Sequence, residues 1–151
     1  MKQKSETSMT FKESLDQHVA DGFLVAKPNG QLTLYDYAPK TTWEKNWNQY
    51  TLAARGLILD NNGKFIARPF RKFLNLNEHP ETRIENLPDE VPELSEKYDG
   101  SLIIGFWNPY ENRWQTVTRS CWDNIQTQHA NPWIETNGHL LNKEHSYLFE
   151  L

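Results

Sequence analysis

Apolar residues in the first part of the chain recur at helical spacing. Phe11, Leu15 and Val19 lie four apart, and Thr10-Phe11-Lys12-Glu13 has the spacing of a capping box, in which hydroxyl and carboxylate satisfy free backbone amides. A short amphipathic helix from about Phe11 to Ala20 is predicted, with Gly22 as its stop. Strand patterns then take over. Gly22-Phe23-Leu24-Val25 and Leu32-Thr33-Leu34-Tyr35 flank Pro28-Asn29-Gly30, and Gly56-Leu57-Ile58-Leu59-Asp60 and Phe65-Ile66-Ala67-Arg68 flank Asn61-Asn62-Gly63. Both sets read as hairpins. Between them, residues 41–48 are read as a short helix, and residues 79–92, with three prolines and many acids, as an exposed connection.

The strongest strand pattern is Leu102-Ile103-Ile104-Gly105-Phe106-Trp107, a continuous apolar run of the kind covered on both faces. Residues 114–118 can pair with it across a turn at 108–112. One or two helices are expected within 124–144, and a last strand at Tyr147-Leu148-Phe149-Glu150-Leu151. The pattern predicts an α+β fold with a mostly antiparallel sheet and a few helices.

Length and composition narrow this further. The 151 residues suit one domain, and 13% aromatics, with six Trp, exclude a disordered composition. Those Trp, and Phe73 beside an apolar run, are expected to pack rather than stack on bases. A net charge of -4 argues against a general nucleic-acid coat protein but not against a local basic groove. The single Cys121 allows no internal disulfide, and the five His show no zinc-ligand spacing. The polar residues 1–5 carry no signal-like apolar region, and no membrane span is apparent, so a cytoplasmic protein is expected.

Lys97-Tyr98-Asp99-Gly100-Ser101 carries the chemistry. A lysine becomes a nucleophile once its amine loses a proton, which burial or neighbouring cations favour. Lys97 is expected at the end of a strand, with Asp99 on the same face to orient the amine. Gly100, lacking a Cβ, lets the backbone pass close to a base or phosphate. Alone, this motif also fits a surface lysine before a hairpin turn.

With its neighbours it resembles motif I of the covalent nucleotidyltransferases. Ala54-Arg55-Gly56-Leu57-Ile58-Leu59-Asp60 and Ala67-Arg68-Pro69-Phe70-Arg71-Lys72-Phe73-Leu74-Asn75-Leu76-Asn77-Glu78 resemble two blocks of the bacteriophage RNA ligase 1 family. Thr118-Arg119-Ser120 resembles its Thr-basic-Gly-Ser element, without the glycine, and the last strand resembles the one bearing its motif III glutamate. The resemblance spans about residues 43–151, with five blocks in the family's order.

That resemblance implies an ATP-dependent RNA ligase in which Lys97 takes AMP from ATP and passes it to an RNA 5′-phosphate, after which a 3′-hydroxyl seals the strand. Arg55 and Lys72 would contact ATP phosphates, Glu150 the ribose, and Arg119 a phosphate or RNA. Asp99 would support sealing, and Mg²⁺ would arrive with ATP. RNA ends, nicked tRNA among them, are the implied partners. The family's motifs IV and V and its C-terminal domain fall beyond Leu151. The expectation is therefore residues 1–151 as the N-terminal, truncated portion of an adenylyltransferase domain, with a second chain as one source of the rest. The alternatives are a non-catalytic nucleotide- or RNA-binding remnant, or a DNA ligase or capping-type relative.

Overall fold

The computed structural model describes residues 9–151, so the polar run at residues 1–5 lies outside it. Helix α1 (Phe11–Ala20) has the predicted bounds. Its capping box is formed: Glu13 N–H donates to Thr10 Oγ1 at 3.2 Å, and Thr10 N–H donates to Glu13 Oε2 at 2.7 Å. Thr10→Ala is expected to lower stability by about 1 kcal/mol, read from the urea midpoint, because free amides lose their partners.

Four strands form the first sheet in the order β1 (Leu24–Asn29), β2 (Leu32–Tyr37), β3 (Arg55–Asp60), β4 (Phe65–Ala67), all neighbours antiparallel. The first turn is shorter than expected. Pro28 and Asn29 belong to β1 and pair with Thr33 and Leu32, so Gly30 (φ 59°) and Gln31 make the turn. Proline is tolerated there because β1 is an edge strand. The second hairpin turns at Asn61-Asn62-Gly63 as predicted, with Gly63 at φ 84°.

Between the hairpins the structure has two short helices rather than one: α2 (Pro39–Trp43) and α3 (Gln49–Ala53). Asn48 caps α3, accepting from the backbone N–H groups of Tyr50 and Thr51 at 2.9 and 3.1 Å. Sequence reasoning overlooked this cap.

The second sheet runs β6 (Arg113–Thr118), β5 (Leu102–Asn108), β7 (Tyr147–Glu150), again antiparallel. Leu32, Leu34, Ile58 and Ala67 of the first sheet meet Ile104, Phe106 and Val117 of the second in one buried cluster. Helix α1 covers the outer face of the first sheet through Leu15 against Tyr35, Leu57 and Leu59. Helix α4 (Ile125–Asn137) covers the outer face of the second. There a Cβ added to Gly105 would lie 2.5 Å from Ile134 Cδ1, so glycine permits the close approach. The layers are helix, sheet, sheet, helix. This is why β5 reads as a continuous apolar run: it is covered on both faces.

Residues 79–92 are an exposed connection as predicted, with 3₁₀ turns at Pro80–Thr82 and Ile84–Asn86. Among the described residues, no helix is long and apolar enough to cross a membrane.

Candidate functional site

Five of the residues singled out from the sequence line one cavity of about 730 Å³: Arg55, Lys97, Asp99, Gly100 and Glu150. Its volume is within the range of about 300–1,000 Å³ usual for small-molecule sites. Arg55 opens β3, Glu150 ends β7, and Leu102, also in the lining, opens β5. The Lys97 segment reaches the cavity through backbone pairing past the end of β5. Ser101 N–H donates to Leu151 O at 2.9 Å, and Leu151 N–H donates to Ser101 O at 3.1 Å. Gly100 serves this junction directly. A Cβ there would overlap the Leu151 carbonyl and sit 3.3 Å from Glu150 Cγ.

Lys97 is not on a strand. Residues 91–99 have no regular structure, since Pro88 and Pro92 offer no N–H and the surrounding acids favour water. Lys97 and Asp99 nevertheless meet, as their spacing suggested, in a direct ion pair. The electrostatics run against the expected activation. The hydrogen bond that Lys97 Nζ donates to Asp99, the Asp99 charge and that of Glu150 hold the Lys97 amine above its ordinary pKa, while Lys97 holds the Asp99 carboxyl below its own. The Lys97 side chain is 78% exposed, so burial does little to counter this.

Phe73 departs from the sequence expectation. It is 65% exposed, lines the Lys97 cavity and carries the Arg55 guanidinium 5.3 Å above its ring. A nearby cation and an open cavity outweigh burial at this position. Lys72 does not line the cavity; its Nζ donates to Phe73 O at 2.6 Å and lies 5.9 Å from the Trp47 ring centroid.

Arg119 also lies outside that cavity, in a second one of about 450 Å³. Its Nε donates to Asp36 Oδ2 at 3.1 Å and its Nη1 to Tyr37 Oη at 2.8 Å. Asp36 is 7% exposed. Burial raises its pKa from 3.8 to about 6 against the lowering influence of Arg119, of the Tyr37 amide and of Arg55. Sequence reasoning missed Asp36, although it follows Leu32 and Leu34 on the inward face of β2 at period two. A polar residue in that register was the available signal.

The sign of the resulting pH dependence follows from linkage. A carboxyl with a raised folded pKa favours the fold when protonated; that contribution is complete below pH 3.8 and lost as pH rises through about 6. The stability of wild type minus that of Asp36→Asn should therefore fall by about 2–3 kcal/mol between pH 4 and pH 7. Paired urea titrations would measure it.

An RNA ligase family model matches residues 53–150, which contain Arg55, Lys72, Lys97, Asp99, Gly100, Arg119 and Glu150. The chain belongs to the RNA ligase family. The resemblance carried by the five sequence blocks is thus borne out. A Thermovibrio ammonificans protein named "Putative RNA ligase" is 36% identical over 97 residues, 62% of this chain. The matched segment amounts to 23% of that relative's length. Helix α1, β1, β2 and α2, with Asp36 and Tyr37, precede the part that the family model matches.

Proposed function

We propose that this ligase-family chain forms a covalent lysyl-AMP at Lys97 and uses it to join RNA ends. One observation carries the reading: Lys97, Asp99, Arg55, Gly100 and Glu150, drawn from three separate sequence blocks, line a single cavity of nucleotide-compatible size. In the first step the Lys97 lone pair forms a bond to the α-phosphorus of ATP, the bond to pyrophosphate breaks, and the amine proton passes to solvent. An RNA 5′-phosphate oxygen then attacks the same phosphorus and Lys97 leaves. A 3′-hydroxyl finally attacks the RNA 5′-phosphorus and AMP departs.

Arg55, held over Phe73, supplies positive charge against the negative charge that builds on the departing pyrophosphate, and this electrostatic support is where such transfers draw much of their acceleration. Glu150 suits the ribose hydroxyls as an acceptor, and the Phe73 ring offers a face to the base. Asp99 competes for the amine until substrate separates the pair, and serves sealing afterwards. Lys72 and Arg119 are assigned to RNA or outer phosphates, since neither lines the cavity. Mg²⁺ carried by ATP would neutralise phosphate charge, with the nucleotide itself as its ligand.

The test is retention of label from α-labelled ATP on the denatured protein in the presence of Mg²⁺. An acid-labile, alkali-stable bond is expected. Its absence, with nucleotide still bound, would favour a non-catalytic nucleotide-binding role; the exposed, ion-paired Lys97 is the feature that keeps that second reading in view.

A further inference from the structure

The second cavity is separate from the nucleotide site but continuous with it. A small concavity of about 240 Å³ shares Leu102 with the Lys97 cavity, and shares Arg119 and Ser120 with the second one. The path runs along the end of the β5 sheet and under the loop after β6. At its far side stands Trp43, 80% exposed although it lines the cavity. The six Trp were expected to pack, and this one does not.

The cations beside it are held ready. Arg119 is fixed by Asp36 and Tyr37 through two of its five N–H donors, and its guanidinium lies 4.8 Å over the Tyr37 ring. Among the described residues nothing takes up the remaining donors, which can serve an anion. Lys27 Nζ donates to Ser120 O at 2.6 Å, which brings a second cation to the same wall. The carboxylate in the lining, Asp36, is already bonded to Arg119. An exposed aromatic face beside two oriented cations is the combination that receives a base and its phosphate.

We infer that the cavity framed by Lys27, Tyr37, Trp43 and Arg119 binds a single-stranded RNA segment adjoining the end to be joined, with a base on Trp43 and phosphate at Arg119 and Lys27. This rests on the ligase reading for its direction, since the strand would lead from this cavity to Lys97. Three of its four framing residues precede the stretch matched by the family model, so the site is built from this chain's own N-terminal elements.

The experiment is fluorescence anisotropy of a short labelled single-stranded RNA against wild type, Trp43→Ala and Trp43→Phe, with adenylylation of the wild type measured alongside. High exposure makes Trp43→Ala safe for the fold, which the thermal midpoint checks. Loss of a stacked base should weaken binding about tenfold or more in Trp43→Ala, with substantial recovery in Trp43→Phe. Affinity within twofold of wild type in Trp43→Ala overturns the inference, as does a wild type that binds no RNA. If the wild type adenylylates yet Trp43→Ala binds normally, the RNA path fails while the ligase reading stands. If binding depends on Trp43 but no adenylate forms, the RNA site stands and the catalytic reading fails.

Discussion

Lys97→Ala is expected to reduce adenylate retention to background, and Lys97→Arg to do the same. The two losses have different reasons. Alanine removes the nucleophile, whereas arginine keeps the charge and much of the reach but cannot give up a proton near neutral pH. Their joint failure would separate a nucleophilic role from a merely electrostatic one, in which arginine would suffice. The Asp99 pair adds a second expectation. An amine held above its ordinary pKa is overwhelmingly protonated at pH 7. The labelling rate of wild type should then rise about tenfold per pH unit between pH 6 and pH 9, as the free amine becomes more abundant. A rate flat across that range would mean that bound substrate, beyond separating Lys97 from Asp99, lowers the amine's pKa well below its ordinary value. Pulse labelling at a series of pH values distinguishes the two.

Phe106→Ala should produce the largest loss of stability. Phe106 is fully buried in the cluster that joins the two sheets. Removing its ring leaves a cavity between β-layers that cannot easily collapse, at a cost of about 3–5 kcal/mol. That is a large share of the roughly 5–15 kcal/mol typical of a domain. Urea unfolding should show a much lower midpoint with an unchanged slope, because the loss is in the folded core and not in the unfolded chain. The cavity at Lys97 should suffer with it, since β3 and β5 contribute to both. Phe73→Ala is the contrast: at 65% exposure its loss should alter stability by no more than about 0.5 kcal/mol while removing the ring beneath Arg55.

The sequence determined most of the elements and five of the residues that line the Lys97 cavity. Helix α1, the β3–β4 turn and β5 were legible because capping geometry, glycine turns and hydrophobic period are local properties. Lys97, Asp99, Arg55, Gly100 and Glu150 were legible because they sit in ordered blocks. What those blocks could not supply is the state of the site. Whether Lys97 is activated or ion-paired depends on which charges surround it, and the chain brings Glu150 beside it from 53 residues away. The exposed placement of Phe73, which was expected to pack, and the position of Lys72 outside the cavity lining were not legible, since neighbours in sequence diverge once one faces a cavity and the next bonds the backbone.

The tertiary structure alone decided the second cavity. Lys27, Asp36, Tyr37, Trp43 and Arg119 lie on β1, β2, α2 and the loop after β6, and no local pattern unites them. Asp36 became a buried anchor for Arg119 because the two sheets pack face to face. Trp43 was left exposed because α2 ends there, beyond the reach of either core. Local pattern specifies which face a residue takes on its own element. Only packing specifies what stands opposite it, and charge, burial and ligand contact all follow from that.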